Sequence, residues 1–246
     1  MSDLGAEVKT IMSDARRAAS PGAIGHAPDR AGVLVAQPTG TAETYIPSAS
    51  PLSVAIEGPG LFVLQEAGAR AYTRLGKFHV DDHGRLLDDN GRSVLGFSAD
   101  QGDEGDLRPL AVTFGAVTSR RFENYRIDEN GAWSGEVNKN DPKSRARSRE
   151  FIPLGRLALA IFPAPERLAL AADETLHYTR AAGAPLFIRP GTLNGGTLRP
   201  HALAAPSIDL QGDLARLWML RRRGELAAAM AGANDQCVKT ALGLVK

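Results

Sequence analysis

The stretch "LSVAIEGPGLFVLQEAGARAYTRLGKFHVDDHGRLLDDNGRSVLGF", residues 52–97, decides the fold. In "LSVAIEG" apolar and polar residues alternate, and "LFVLQ" is a short apolar run. "RAYTRLGKFHV" sets Tyr72, Arg74 and Gly76 opposite Ala71, Thr73 and Leu75. A period of two belongs to a strand. The runs are bounded by "EGPG", "EAGA", "DDHG" and "DDNG". Asp or Asn followed by Gly supplies the positive φ that tight hairpins require. The segment is therefore predicted to form antiparallel strands with turns at Asp82–Gly84 and Asn90–Gly91. Strands this short, recurring about every ten residues, mark an antiparallel β domain.

Outward from this stretch the pattern continues through "LAVTFGAV", "YRIDENGAWSG" and "LGRLALAIF", to about residue 198. Toward the amino end, Leu4, Val8, Ile11, Met12, Ala15, Ala18 and Ala19 fall three and four apart, which predicts a short amphipathic helix. Ser20-Pro21-Gly22 stops it. Residues 20–50 are rich in Pro, Gly, Ser and Thr, with one extended apolar run at Val33-Leu34-Val35, and read as an arm. Toward the carboxyl end, Leu214, Leu217, Leu220, Ala227, Ala231, Val238, Leu242 and Val245 make a helical stripe. The predicted class is mainly β, an antiparallel middle domain flanked by terminal helices that pack together. The divisions are 1–50 for helix and arm, 51–198 for the β-rich domain and 199–246 for the C-terminal helix.

Composition narrows the function classes. With 246 residues, 23% of them charged, and a net charge of +1, the chain offers no global attraction to nucleic acid or an acidic membrane. An aromatic content of 6% argues against a base-stacking platform. The single cysteine, Cys237, excludes an intrachain disulfide and a multi-cysteine metal cluster. "MSDLGAEVKTIMSDARRAAS" has no basic head followed by an apolar core, and no apolar run approaches the roughly 20 residues of a membrane span. The expectation is a soluble chain, or one exported without a cleaved signal.

Several motifs invite a chemical reading. His79 and His83 bracket Asp81 and Asp82, but two histidines four apart share a face on a helix, not across a β-turn. Turn chemistry is expected there, with no metal bound. "DDNGR" (88–92) and "DENGA" (128–132) resemble fragments of a calcium loop yet lack its further carboxylates and late Glu. "EGPG" and "GTLNGG" lack the Lys-Ser/Thr of a phosphate loop. "KNDPKSRARSR", residues 139–149, reads as a solvated basic loop between strands. No nucleophile elbow is present, so neither a catalytic residue nor a cofactor is predicted.

The order of motifs resembles the flagellar hook and basal-body rod family. In that family a D-V-A-I-x-G-x-G-F-F run precedes Y-T-R-x-G-x-F and then a G-x-L hairpin. Val54, Ala55, Ile56, Gly58 and Gly60 match the first element, with Leu61 and Phe62 for the aromatic pair. Tyr72, Thr73, Arg74, Gly76 and Phe78 match the second, and Gly84, Leu86 and Gly91 match the hairpin. "IDENGAWSGE" resembles a second glycine turn, and "IDLQGDLARLWMLRRRGE" lines up on the family's C-terminal helix. There Asp209, Leu210, Arg222 and Glu225 keep the residue type, whereas Arg221 stands for Gln, Gly224 for Tyr and Ala227 for Asn. The family's Asn-Asn-x-Ala-Asn-x-x-Thr opening is absent.

The resemblance implies a structural subunit of the flagellar basal-body rod, without catalysis or cofactor. Leu214, Leu217, Leu220, Arg222, Glu225, Val238 and Leu242 would form its assembly helix. Implied partners are further copies, other rod and hook subunits, and the flagellar type III export apparatus; no nucleic-acid partner and no membrane span are expected. The alternative is a binding or regulatory protein that kept the β domain but does not polymerise.

Overall fold

The strand Leu61–Glu66 is apolar on both sides, and it forms part of the largest sheet. Leu61 and Val63 enter one hydrophobic cluster; Phe62 and Leu64 enter another on the opposite face. This explains an apolar run without polar alternation: a strand covered on both faces has no solvent side. The computed structural model describes residues 9–15, 21, 26–28, 34–36, 44–99, 106–112, 122–140, 147–171, 173–192, 195–206, 215, 217–223, 225–226 and 229–230.

The main path of the sheet runs Phe122–Ile127, Ala132–Asn140, Arg147–Leu157, Ser93–Ser98, Leu61–Glu66, Ala69–Thr73, Leu176–His177 and Ala169–Leu170. Its paired strands are antiparallel throughout, as the hairpin signals predict. Phe78–Val80 pairs with Leu86–Asp88, and Leu87 pairs onward with Ser93, so both predicted turns are present. Val54–Glu57 pairs with Thr197–Pro200, and Tyr45–Pro47 with Ala202–Ala204. Paired strands thus reach Tyr45 on one side and Ala204 on the other.

Three local readings change. The period-two pattern of "RAYTRLGKFHV" does not form one strand: pairing stops at Thr73, and residues 74–77 lie outside the named strands. The cause is the inward turn of Arg74, described below. Within the arm, His26–Pro28 and Leu34–Ala36 pair as an antiparallel ribbon. Its strands are three residues each, too short to show a period among prolines and glycines. In the basic segment, residues 139–140 belong to the strand Ala132–Asn140 and residues 147–149 to the strand Arg147–Leu157, rather than to a loop.

Among the described residues, α-helix occurs at 9–15 and at positions between 215 and 230. The chain divides into two compact units, one of residues 1–18 with 208–246, the other of residues 19–207. Among the described residues, the β strands all lie in the second. In the helical unit Ile11 and Leu220 are buried.

Candidate functional site

The family-like motif residues converge on one buried guanidinium. Arg74 is 4% exposed. Its Nη1 donates to the carbonyls of Gly58 (2.8 Å) and Gly60 (3.1 Å), and its Nη2 to that of Ile56 (3.1 Å). The Val-Ala-Ile-x-Gly-x-Gly and Tyr-Thr-Arg elements are thereby pinned together across at least 14 residues of chain. Desolvation lowers the pKa of Arg74, but guanidinium stays protonated under all ordinary conditions. A rigid fork of five donors suits a row of carbonyls better than a single ammonium does.

The neighbours of Arg74 complete the pin. The Thr73 hydroxyl accepts from the Leu75 N–H at 3.0 Å, supporting the turn out of the strand. Val54 N–H donates to the Gly76 carbonyl at 2.8 Å, and Ser53 bridges to Lys77. Tyr72 packs edge-on against Phe162, with ring centroids 4.8 Å apart, in one cluster. Phe78 does the same with Phe62 at 5.1 Å in the other. Val54 and Ile56 lie in the Phe62 cluster, and Ala55 packs with Ala202 and Ala204. These residues pack and hydrogen-bond the motif strands into one rigid unit.

The acidic turns share one geometry. The Asp81 Oδ1 accepts from the N–H groups of His83 (3.0 Å) and Arg85 (2.7 Å). Asp88 accepts likewise from Asn90 (3.0 Å) and Arg92 (2.8 Å), and Asp128 from Asn130 (2.9 Å) and Ala132 (2.8 Å). Each turn has Gly three residues after that Asp, at φ 75°, 78° and 75° for Gly84, Gly91 and Gly131. A left-handed residue there closes a three-residue hairpin loop with a bulge. The sequence signal locates the glycines but not the carboxylate three positions earlier that satisfies the turn. His79 is exposed on its strand, and His83 Nδ1 lies 3.8 Å from the Asp81 carboxylate. That carboxylate already accepts from Arg85 Nε at 2.8 Å. Burial works to raise the Asp81 pKa, but hydrogen bonds and charge from Arg85 outweigh it and hold the pKa low. Among the described residues, no group of three His, Cys, Asp or Glu side chains is placed to hold a metal ion.

One ion cluster has no counterpart in the sequence signals. Arg92, 6% exposed, bonds to the Asp88 carboxylate through Nε and Nη2, both at 2.7 Å, and through Nη1 to Asp173. The Asp173 link spans 81 positions. Thr175 Oγ1 donates to the other Asp173 oxygen at 2.7 Å. Burial works to raise the Asp173 pKa, but the bonds from Thr175 and Arg92 outweigh it and hold the carboxyl below its usual range. A lowered folded pKa gives stability that is present above the unfolded value and lost as pH falls through the folded one. Unfolding followed from near-neutral to strongly acidic pH should therefore show Asp173→Asn less stable than the parent at the upper end. The difference should shrink below about pH 4. A difference that stays constant with pH would show that the carboxylate's charge does not contribute.

Of the stripe assigned to the C-terminal helix, Leu214, Ala227, Ala231, Val238, Leu242 and Val245 lie outside the described residues. Leu220 is buried and Leu217 half-buried, whereas Arg222 and Glu225 are exposed. Glu225 accepts from Arg221 Nε at 3.0 Å, one helical turn away. A second apolar row, absent from the sequence-based stripe, runs along the same helix. Trp218, Met219, Leu226 and Met230 are 72%, 68%, 57% and 74% exposed.

Residues 55–134 match the family model described as the flagellar hook protein FlgE/F/G D1 domain. The segment contains Arg74, its carbonyl partners and all three Asp-Gly turns. The chain is 24% identical over 191 residues to the flagellar basal-body rod protein FlgG of Caulobacter vibrioides, covering 77% of this chain and 63% of that one. It is 24% identical over 192 residues to FlgG of Borreliella burgdorferi, covering 78% and 63%. With the flagellar hook protein FlgE of Escherichia coli it shares 28% identity over 144 residues, covering 58% and 34%. The chain thus spans about three fifths of the length of these rod relatives. The pinned β module and these likenesses agree: the chain is similar to the flagellar hook and basal-body rod family, and its residues 55–134 match that family's D1 domain.

Proposed function

We propose that this chain is a non-catalytic structural subunit of the flagellar basal-body rod. The observation that carries the reading is the D1 match on a pinned β unit; the grouping of residues 1–18 with 208–246 as a second unit supports it. In this reading the β unit forms the wall of a tube, and the terminal helices pack together and polymerise in its inner layer. Repeating one heterologous contact along a helical path gives an open filament, and the summed stiffness of the contacts transmits torque. A pinned, doubly covered sheet suits that load better than a loop-built module would. Other rod and hook subunits would be its neighbours, the basal body its location and the flagellar type III apparatus its export route.

Leu217 and Leu220 are the residues on which assembly would turn. Changing both to Asp places charge on the half-buried and buried side of the helix, which is unfavourable without a partner. Sedimentation of the purified chain across concentration, alone and with rod partners, should show assembly that the double variant loses. The β unit should melt as before. The departures at Arg221, Gly224 and Ala227 from the family's helix pattern favour the second reading, a binding protein that does not polymerise. A parent chain that stays monomeric under all these conditions would decide for it.

A further inference from the structure

The strands Leu159–Ile161 and Leu186–Ile188 pair antiparallel, and the chain between them makes one long excursion. It gives Phe162, Leu168, Leu176 and Ala182 to the apolar cluster that holds Leu61 and Tyr72, on one face of the sheet. The excursion is closed at its base, where Ala164 N–H donates to the Ala182 carbonyl (3.2 Å) and Thr179 Oγ1 to that of Arg167 (2.6 Å). Toward its tip Ala169–Leu170 and Leu176–His177 form a hairpin, which joins the sheet through the pairs Leu176–Tyr72 and His177–Ala71. The tip is a fourth turn of the kind built at Asp81, Asp88 and Asp128. Ala171 N–H donates to the Thr175 carbonyl at 2.8 Å and Glu174 N–H to that of Ala171 at 3.2 Å, the bonds that Asp81, Gly84 and Arg85 make in theirs. Where the other three turns carry Gly, this one carries Glu174 at φ 66°. A residue with a Cβ is strained in that conformation. Ala171 also stands where the other turns have their accepting Asp. Asp173 instead reaches out of the turn to the buried guanidinium of Arg92, while Thr175 Oγ1 donates to its second oxygen at 2.7 Å. A turn strained within itself is thus held from outside.

We propose that the excursion is a lid on the Tyr72 face of the sheet, latched at its tip by Arg92 and Asp173, and that it opens as one unit without unfolding the strands beneath. Its base and tip are each closed by bonds within the lid, so it keeps its order when it lifts. Two residue pairs and the latch tie the tip to the sheet, and a segment with so few ties opens at lower free energy than a central strand. Arg92 stays behind in its own turn, where the Asp88 carboxylate still holds it, so opening leaves no buried cation without a partner. Strain at Glu174 favours the open form, as backbone strain does where a fold is built to switch. Lifting the lid frees the edge of Ala69–Thr73, which pairs with Leu61–Glu66 without a bulge and contains no proline. Such an edge accepts added strands, and the closed lid guards it. The inference concerns the β unit alone and is independent of the assembly reading, which uses Leu217 and Leu220.

Hydrogen–deuterium exchange of the whole chain, read on peptides from the lid and from the central strand Ser93–Ser98 in low denaturant, separates opening from unfolding. In the unsubstituted chain the lid amides should exchange together, faster than those of Ser93–Ser98, and with a weaker dependence on denaturant. Asp173→Asn removes a charge-assisted bond that only the closed lid makes, and should speed lid exchange by about tenfold or more. Glu174→Gly, which restores the residue of the other three turns, should slow it. Arg74→Met weakens the strands beneath but not the latch. It should therefore speed exchange in Ser93–Ser98 and leave the lid as it was. Lid and central strand exchanging at one rate with one denaturant dependence would overturn the proposal, and that comparison needs no variant to fold. So would an Arg74→Met chain whose lid is speeded as much as its central strand, or an Asp173→Asn chain whose lid exchanges no faster than the parent's. A Glu174→Gly lid that exchanges faster would show that the turn stores no strain, and would overturn the device as well.

Discussion

Replacing Arg74 with Met should destabilise the β unit by about 3 kcal/mol, roughly 1 kcal/mol for each of the hydrogen bonds broken. The carbonyls of Ile56, Gly58 and Gly60 are left without their guanidinium partner in an interior with little access to water. Met fills most of the volume of the Arg stem, so the substitution isolates hydrogen bonding from packing. For a domain of this size the expected fall in Tm is about 6–12 °C. Arg74→Lys should recover only part of it, because one ammonium cannot span a row of carbonyls that a planar fork can. Denaturant unfolding of the three proteins in parallel gives the comparison. A Met variant within about 0.5 kcal/mol of the parent, a threshold set by ordinary surface substitutions, would mean that the carbonyls find other donors and that the pin is not structural.

How much of this is legible in the sequence follows from the range of each interaction. The alternation in residues 52–97 and the Gly of each turn are local signals, and the turns lie where they indicate, as do the strands except at residues 74–77. Asp81, Asp88 and Asp128 are also local, but the Asp, Asn or His adjoining Gly dominates the pattern, and the accepting carboxylate stands three positions before the Gly. Asp-x-x-Gly, rather than Asn-Gly, is the unit that would reveal it. The motif match gives Arg74 no role, because its partners lie 14 to 18 positions away and are carbonyls, which sequence does not distinguish. The bond from Arg92 to Asp173 is beyond any sequence signal, since a separation of 81 residues leaves no periodic trace.

The C-terminal helix departs from its sequence pattern for a different reason. Choosing apolar residues at helical spacing selects one stripe and assigns the remainder to solvent, although this helix is apolar on two sides. Leu220 is buried, as that stripe requires, but Trp218, Met219, Leu226 and Met230 are not leftovers: four large apolar side chains more than half exposed on one helix need a partner. A moment that sums both faces partly cancels and so understates such a helix.

Gly76→Ala is expected to be the most damaging single methyl in the β unit. The Cβ it adds would stand 1.8 Å from the Val54 carbonyl oxygen and 2.8 Å from Phe62 Cε2. The first of these is backbone, so no rotamer change relieves it. The strand Val54–Glu57 would have to move away, breaking the bond from Val54 N–H to the Gly76 carbonyl and disturbing the carbonyls that Arg74 gathers. Phe62 would shift as well, and with it the edge-on packing against Phe78. Disruption of packing and of a buried hydrogen-bond set together belongs to the upper tail of single substitutions, on the order of 4 kcal/mol. A companion variant, Gly91→Ala, meets no atom within 4 Å and differs from the parent only by strain at a φ of 78°. It should cost about 1–2 kcal/mol. Measured by chemical unfolding, the two variants separate close approach from left-handed strain. If Gly76→Ala proves no worse than Gly91→Ala, then the first motif strand can be displaced cheaply, and the family pattern keeps its glycine for some reason other than this approach.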